Sequence, residues 1–271
     1  MLNTETTFAQ VAKVSSIVAP SGVRICYERW GEGPPLVLIH GSFSDHRTNW
    51  LHARPFLAQH FTAYAIARRG RGGTDATQGH GIADEIADAV ALIRHIGKPV
   101  HLLGHSYGAL VALGAAAEVP ELVRRLVVYE PPSPNMLDAD TVAMLERLGD
   151  AGDWQGVALR FFGDVLSVPK VELSALQETE DWQHILDDAP ASLCDLRALV
   201  GHRFVASDFR KLSMPVLLQI GTKSPPDLYA TKALAAVIVD VRIGRLEDQA
   251  HEAMTTAPEQ YTEAVRRFLD V

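Results

Sequence analysis

The sequence predicts an α/β protein with an open, mostly parallel central sheet flanked by helices. Short apolar segments alternate with longer segments in which apolar residues recur at helical spacing, which is typical of strand–helix–strand units. Several short segments are apolar throughout, as expected for strands covered on both faces. Predicted strands lie at residues 23–28, 36–40, 62–67, 100–103, 126–129, 216–220 and 239–243, and predicted helices at 82–96, 109–118 and 259–269.

The stretch from residue 133 to residue 210 breaks this alternation. It contains helical patterns and several aromatic side chains but no convincing strand, and about 80 residues are too many for a simple connection between two strands. Prolines at positions 131, 132 and 134 mark its beginning, and residues 213–215 mark its end. We therefore predict a core formed by residues 1–132 and 211–271 that carries an inserted helical lid at 133–210.

The amino-acid composition limits which kinds of partner we expect this chain to bind. The 271 residues include 25 Lys and Arg against 33 Asp and Glu, a formal net charge of −8, and 47% of them are hydrophobic. The apolar content excludes a disordered chain, and an acidic balance without a basic run predicts that neither nucleic acid nor an anionic membrane is a partner. Cys26 and Cys194 form no CxxC pair, so we expect two core thiols rather than a disulfide framework.

Targeting and cofactor motifs are missing from the sequence. Residues 1–20 lack the uninterrupted apolar stretch of a signal peptide, and no window reaches the roughly 18 apolar residues of a membrane span, so we expect a cytoplasmic protein. Neither G-x-G-x-x-G nor G-x-x-x-x-G-K-[ST] occurs, and no cluster has zinc-ligand spacing. We expect no cofactor and no metal, and a homo-oligomer stays open.

One motif carries chemistry: Gly104-His105-Ser106-Tyr107-Gly108 directly follows an apolar strand and opens a helix of small residues. A serine on a sharp strand-to-helix turn is exposed and has a strained backbone, and glycines two positions away on either side remove the collisions of such a turn. The helix start also places the next N–H where it stabilises a developing oxyanion. We interpret Ser106 as a nucleophile at this strand-to-helix turn, which we term the elbow; the alternative is a glycine-lined packing turn.

These features resemble the α/β-hydrolase superfamily, and the resemblance extends over nearly the whole chain. His40-Gly41-Ser42-Phe43 follows a predicted strand, at the place where the superfamily has its second oxyanion donor. The resemblance implies that the backbone N–H of Ser42, or alternatively of Phe43, acts together with that of Tyr107. We interpret His40 as a structural residue that supports its own turn.

The same resemblance assigns the general base. The superfamily's order along the chain is nucleophile, acid, histidine, and His251 lies between the last predicted strand and the final helix. An imidazole suits the task because its pKa near neutrality lets it take the serine proton and return it to the leaving group. Among eleven histidines, His251 is the candidate base, since His101 and His105 flank the elbow too closely in sequence to fold back onto Ser106.

The acid departs from the superfamily's commonest pattern. The usual aspartate position, three residues past Gly221, is occupied by Ser224. Two carboxylates are candidates: Glu130, at the end of the strand after the elbow helix, and Asp227, in the loop after Gly221. Some dehalogenases and lactonases of the superfamily have the acid at the first place, and a strand end holds a side chain firmly. We favour Glu130 as the group that orients the histidine, with a backbone-bonded hinge carboxylate as its alternative reading; Asp248 ranks last.

Together these features imply a serine hydrolase that cleaves an apolar carboxylic ester or lactone through an acyl-enzyme. The expected partner is thus a small hydrophobic ester or lactone, and the predicted lid supplies aromatic side chains for its pocket, the candidates being Trp154, Phe161, Phe162 and Trp182. The fold does not determine the substrate. A carbon–carbon-bond hydrolase or a cofactor-free haloperoxidase that uses the same triad of Ser106, His251 and Glu130 therefore stays open, as does a non-catalytic small-molecule receptor.

Overall fold

The computed structural model describes residues 12–77 and 79–269, so the first eleven residues of the segment searched for a signal peptide lie outside it. An eight-stranded sheet forms the centre of the molecule. In chain order its strands are β1 (Lys13–Val18), β2 (Arg24–Trp30), β3 (Pro35–Ile39), β4 (Thr62–Ile66), β5 (Val100–His105), β6 (Val123–Tyr129), β7 (Val216–Gly221) and β8 (Val241–Leu246).

Helices connect the strands from β3 onward and follow the last one. They are α1 (Arg54–Leu57), α2 (Ile82–Ile96), α3 (Tyr107–Glu118), α4 (Ala139–Asp150), α5 (Trp154–Arg160), α6 (Lys170–Gln177), α7 (Glu180–Gly201), α8 (Thr231–Ala235), α9 (Ala253–Thr256) and α10 (Pro258–Leu269). The helix α5 continues directly into a π-helical turn at Phe161–Val165.

The sheet is mostly parallel, as predicted. Its strand order is β1-β2-β4-β3-β5-β6-β7-β8. Antiparallel pairing is confined to β1 with β2 and β2 with β4, whereas every neighbouring pair from β4 to β8 is parallel. The strands β3, β5 and β6 are neighbours, so the loops after their carboxyl ends meet at one edge of the sheet.

Helices cover both faces of this sheet. One core cluster packs α2 and α3 against the sheet and includes Ile93, Leu102 and Leu113, and a second on the opposite face includes Leu103 and Phe268. The neighbours Leu102 and Leu103 belong to different clusters because successive side chains of a strand point to opposite faces. All residues of β3 and β5 are buried, which explains why these segments are apolar rather than alternating.

Residues 133–210, here termed the helical segment, connect β6 to β7 through α4, α5, α6 and α7, with no strand among them. This segment has its own apolar cluster, which includes Leu145 and Leu196. Two residues from loops at the carboxyl edge of the sheet, Phe43 and Tyr229, belong to the same cluster. The helical segment therefore packs directly on the loops that follow the central strands.

The sequence prediction misses one strand and places several strand ends two or three residues from their observed positions; β6, for example, begins at Val123 and not at residue 126. The strand β1 is missing from the predicted set because it lies at the sheet edge and none of its residues is fully buried, so its sequence carries no apolar run. The strand β8 begins at Val241, two residues later than predicted. Val239 is 83% exposed and precedes the strand, which shows that a β-branched residue alone does not place a strand boundary.

Close packing at the turn from β5 into α3 requires glycine at two positions. A Cβ atom on Gly104 would lie 2.3 Å from the carbonyl oxygen of Gly108, and one on Gly108 would lie 2.3 Å from the carbonyl oxygen of Ile39. Both obstacles are backbone atoms, which cannot rotate away as a side chain can. Glycine at these positions lets α3 start directly against β3 and β5.

We predict that Gly108→Ala destabilises the protein by about 3 kcal/mol, because the added methyl group forces backbone segments apart. Thermal or urea unfolding measures this change. The matched control is Gly201→Ala at the end of α7, where a Cβ meets nothing within 4 Å and stability should change by less than about 0.5 kcal/mol. Equal stability of the two variants would contradict this account of the turn.

Candidate active site

Ser106 lies at the turn between β5 and α3, in a backbone conformation that side chains with a Cβ rarely adopt. Its φ and ψ are 53° and −123°, and its N–H donates to the carbonyl oxygen of Tyr129 at 2.9 Å. Residues held in such sparsely populated regions cluster at functional sites, where the surrounding structure imposes them. Here the turn leaves the Ser106 side chain partly exposed at the carboxyl edge of the sheet.

The first turn of α3 supplies a candidate oxyanion donor. Tyr107 is the first residue of this helix, and the first N–H groups of a helix have no partner within it. The helix dipole adds partial positive charge at this end. A negatively charged oxygen beside Ser106 would thus be stabilised by the Tyr107 N–H.

The turn after β3 packs against Ser106. A Cβ on Gly41 would lie 3.1 Å from the Ser106 Cβ, so the two turns are in contact. The N–H of Phe43 donates to Ser192 Oγ at 2.6 Å, whereas the N–H of Ser42 has no hydrogen-bond partner within the described part of the chain. Of the two donors that the sequence leaves open, only Ser42 has its N–H free for a ligand.

His251 and Glu130 form a buried hydrogen bond. The Nδ1 atom of His251 lies 2.6 Å from Glu130 Oε2, and both residues are buried, at 8% and 0% exposure. The second carboxylate oxygen, Oε1, accepts the N–H of Gly221 at 2.8 Å. Because a carboxylate only accepts, His251 carries its proton on Nδ1, and Nε2 is left as the basic nitrogen.

Neighbouring rings hold the His251 loop beside the elbow. The ring of His105, the residue before Ser106, lies 4.7 Å from the His251 ring between centroids, and its Nε2 is 3.0 Å from the His251 carbonyl oxygen. The Tyr229 ring also stacks on His251, with ring centroids 5.3 Å apart. These contacts place His251 next to the turn that carries Ser106.

Electrostatics favour the charged form of His251. Burial alone would lower the pKa of His251, but the hydrogen bond and the negative charge of Glu130 outweigh it and raise that pKa above its ordinary value. The next residue, Glu252, has its pKa raised to about 7, chiefly by desolvation, which the positive charge of His251 partly opposes. The site is therefore built to stabilise an imidazolium ion when His251 accepts a proton.

The other carboxylates considered from the sequence lie away from His251. Asp227 is exposed, and its carbonyl oxygen accepts from Ser133 Oγ at 3.1 Å. Asp248 is also exposed, and its N–H donates to the Thr222 hydroxyl. Neither side chain has a hydrogen bond or ion pair to His251 among the described residues, so the structure brings Glu130 alone of the three to the imidazole.

The four aromatic residues proposed for a pocket occupy different places. Phe161 stacks on Phe43 with ring centroids 4.5 Å apart, and Phe162 meets the same ring edge-on at 5.4 Å. Trp182 is buried in the apolar cluster of the helical segment. Trp154 packs on Gly149 between helices of that segment. The structure thus brings Phe161 and Phe162 to the turn after β3 and leaves Trp154 among the helices.

His40 is buried and bonded to its own turn. Its Nδ1 lies 2.8 Å from the Gly41 carbonyl oxygen, and its Nε2 accepts the N–H of Arg68 at 3.3 Å. Burial lowers the pKa of His40 well below its ordinary value, and the charges of Arg68 and Arg71 lower it further. His40 is therefore neutral, and its two ring nitrogens are used in holding the turn.

Among the residues that the structure describes, two groups of side chains lie close enough to be considered as metal ligands: His105, His251 and Glu252, and His80, Glu85 and Asp195. In the first group both ring nitrogens of His105 contact protein oxygens. In the second group the two carboxylates are bonded to the guanidinium of Arg68. Neither group offers three donors without other partners.

Sequence reasoning missed a buried set of charges beside this site. Arg68 and Arg71, after β4, pair with Asp188 and Asp195 of α7. The two halves are more than a hundred residues apart in sequence, and no local pattern marks them as partners. A buried arginine beside a conformationally strained turn can be found only once the chain is folded.

Comparisons with known proteins agree on one family. The sequence model of the alpha/beta hydrolase family matches residues 36–264. Pyrrolizixenacetamide deacetylase of Xenorhabdus hominickii is 35% identical over 118 residues, which are 41% of this chain and only 42% of that enzyme. The pimeloyl-acyl-carrier-protein methyl ester esterase of Methylococcus capsulatus is 27% identical over 89% of this chain and 97% of its own. The crystal structure of an alpha/beta hydrolase from Sphaerobacter thermophilus is similar with a TM-score of 0.80 and 28% identity, covering 94% of this chain and 100% of the other.

None of the helices within residues 12–77 and 79–269 combines the length and the hydropathy that crossing a bilayer requires.

We predict that Glu130→Gln lowers the pKa of His251. Glutamine still accepts the Nδ1 proton but removes the negative charge that raises this pKa, so the imidazolium form should lose its proton at a lower pH in the variant than in the wild type. An NMR titration of the imidazole ring protons measures the shift. Asp227→Asn, which removes an exposed carboxylate, should leave the titration unchanged; a His251 pKa in Glu130→Gln equal to or above that of the wild type would contradict the electrostatic account.

Proposed function

The chain belongs to the alpha/beta hydrolase family, and we propose that it is a serine hydrolase that cleaves a small apolar carboxylic ester or lactone. The single observation that carries this proposal is the buried hydrogen bond from His251 Nδ1 to Glu130 Oε2, set beside the strained turn of Ser106. A carboxylate in this place fixes the imidazole tautomer and offsets the charge that the imidazole acquires. Burying a carboxylate and an imidazole together costs desolvation free energy, so the packing of these loops alone does not explain the pair.

In the proposed reaction, Ser106 Oγ attacks the acyl carbon while His251 Nε2 takes the hydroxyl proton. The tetrahedral intermediate collapses, the bond from the acyl carbon to the alcohol oxygen breaks, and the alcohol leaves with the proton from His251. His251 then removes a proton from a water molecule that attacks the acyl-enzyme; the bond from the acyl carbon to Ser106 Oγ breaks, His251 returns the proton to Oγ, and the acid product leaves. No metal ion or organic cofactor enters these steps.

The N–H groups of Ser42 and Tyr107 are the proposed oxyanion donors. Each lies beside Ser106, one on the contacting turn after β3 and one at the start of α3. Such donors are preorganised, so they stabilise the negative oxygen that appears only as the reaction proceeds. Removal of one donor of this class costs about 3–4 kcal/mol in other hydrolases.

We further propose that the helical segment is a lid over a core of residues 1–132 and 211–271. Phe161 and Phe162 of this segment pack on Phe43, next to the proposed oxyanion turn, so the segment reaches the site with aromatic side chains. Trp182 and Trp154 are proposed as pocket residues that become accessible when the helices separate. An apolar surface there favours a neutral, hydrophobic acyl group over a charged one.

Named relatives support acyl transfer. One acts as a methyl ester esterase and one as a deacetylase, and both names describe attack at a carbonyl carbon. The first of these aligns with 89% of this chain, whereas the second aligns with less than half. An ester is therefore preferred to an amide as the first substrate to test.

We predict that Ser106→Ala abolishes hydrolysis of p-nitrophenyl butyrate, because no other group can form the acyl-enzyme. Loss of a triad nucleophile costs several orders of magnitude in kcat, so a variant that retains more than about a hundredth of the wild-type turnover would contradict the assignment. Labelling with a fluorophosphonate probe provides a second readout: the wild type should be labelled at Ser106, and an unlabelled wild type would indicate a receptor rather than an enzyme.

The acid is tested by a matched pair of variants. Glu130→Gln should lower kcat by about a thousandfold or more, since it removes the charge that stabilises the imidazolium ion. Asp227→Asn, an exposed carboxylate in the loop considered as the alternative, should remain within about twofold of the wild type, as is usual for surface positions. A reversed order, measured with the same ester, would place the acid in the loop after Gly221.

A further inference from the structure

A set of buried ion pairs joins the turn after β4 to the helix α7. Arg68 Nη2 lies 2.5 Å from Asp195 Oδ2, and Arg71 Nη2 lies 2.8 Å from the same oxygen. Arg71 also binds Asp188 at 2.8 Å, and Arg68 binds Glu85 at 2.9 Å. Arg68, Arg71 and Asp195 are between 0% and 4% exposed, so these charges are isolated from solvent.

Arg68 also contacts the peptide group that carries the Ser42 N–H. Its Nη2 donates to the Gly41 carbonyl oxygen at 3.1 Å, and His40 Nδ1 lies 2.8 Å from the same oxygen. This carbonyl and the Ser42 N–H belong to one planar trans peptide unit and point in opposite directions. Holding the carbonyl therefore sets the direction of the N–H.

The same guanidinium lies against the second proposed donor residue. Arg68 Cζ is 4.2 Å from the centroid of the Tyr107 ring, the close approach of a cation to an aromatic face. Tyr107 is buried at 0% exposure, so its ring cannot move independently of the start of α3. One side chain thus contacts both segments whose N–H groups are the proposed oxyanion donors.

The helix α7 contacts the same turn through two further hydrogen bonds. Ser42 Oγ donates to Asp195 Oδ2 at 2.8 Å, and the Phe43 N–H donates to Ser192 Oγ at 2.6 Å. Ser192 and Asp195 are three positions apart on α7, so both side chains lie on the helix face that meets the turn. Asp195 accordingly binds both Arg68 and the turn that Arg68 positions.

We propose that Arg68, held by Asp195 of the helical segment, is the positioning residue of the oxyanion hole and couples the seating of α7 to the activity of Ser106. This inference rests on the proposed function, because it assigns a role to N–H groups that act only in that reaction. A purely stabilising role explains the cluster poorly, since buried ion pairs contribute little net stability compared with apolar side chains of similar volume. A role in orientation requires the contacts to Gly41 and Tyr107 that Arg68 makes.

Arg69 provides the matched control. It is the next residue of the same turn, is 4% exposed and pairs with Asp88 of α2 through two hydrogen bonds, but among the described residues it has no bond to Asp195 or Gly41 and no ring contact with Tyr107. Substitution by lysine keeps the charge and removes the planar fork, which is what bridges several acceptors at once. Arg68→Lys and Arg69→Lys therefore each disturb a buried ion pair, but only Arg68→Lys disturbs contacts to the oxyanion donors.

The test compares both variants in the full-length protein. We expect Arg68→Lys to lower kcat for p-nitrophenyl butyrate by about 30-fold, a fraction of the loss found when an oxyanion donor is deleted, with KM changed by less than about threefold. The affinity for octyl trifluoromethyl ketone, which binds as a charged tetrahedral adduct of the serine, should fall by a similar factor because the adduct uses the same donors. Arg69→Lys should stay within about threefold of the wild type in kcat and in adduct affinity.

The alternatives give different results. Equal losses of kcat in the two lysine variants would overturn the proposal and leave the cluster as a structural element. A raised KM for Arg68→Lys with unchanged adduct affinity would do the same. If Arg68→Lys does not fold, Asp195→Asn serves instead: it preserves size, frees Arg68, and should lower adduct affinity about tenfold, whereas unchanged affinity would overturn the proposal. A wild type that neither hydrolyses the ester nor binds the ketone would refute the proposed function itself, before the role of Arg68 is addressed.

Discussion

Backbone strain at neighbouring strand ends is the constraint on which the site depends. Phe43 after β3, Ser106 after β5 and Glu130 after β6 all have positive φ, at 57°, 53° and 48°, and these strands are adjacent in the sheet. Such conformations cost about 1–3 kcal/mol each for residues other than glycine. They persist because the parallel strands and the helices on both faces hold the chain directions on either side of each turn.

Each strained residue contributes in a different way. Ser106 presents a hydroxyl, Glu130 turns its carboxylate to His251 and to the Gly221 N–H, and Phe43 packs the turn after β3 beneath the aromatic rings of the helical segment. Buried charges complete the arrangement, and each has an opposite charge or a hydrogen bond in contact with it. In surroundings of low polarity such interactions are stronger than in water, so they hold the groups in place without help from solvent.

Much of this could be predicted from the sequence because it is encoded locally. The glycine spacing around Ser106 indicates a tight turn, and the fully apolar strands indicate a sheet that is covered on both faces. The edge strand β1 was missed since a strand exposed on one side has no apolar run. The contacts of Arg68 with Asp195, 127 positions apart, follow from tertiary packing and leave no periodic signal, and the places of Trp154 and Phe161 depend on how four helices pack together.

The proposed acid, Glu130, illustrates how strand geometry helps where the family pattern fails. Ser224 occupies the usual acid position and is buried, but its side chain is a hydroxyl and not a carboxylate. A strand end nearby supplies one instead, since β6 and β7 are parallel neighbours and the ends of parallel strands lie side by side. The position of Glu130 at the end of β6 was therefore readable from the chain order, while its distance to His251 required the folded structure.

The proposed mechanism requires that Ser106 becomes covalently acylated during turnover. Rapid acid quenching of the wild type with p-nitrophenyl butyrate, followed by mass spectrometry of the proteolytic peptides, detects such an intermediate. We expect a butyryl group on the peptide that contains Ser106, formed as quickly as the first equivalent of p-nitrophenolate is released. Turnover without an acyl group on that peptide, or with the acyl group on another residue, would contradict it.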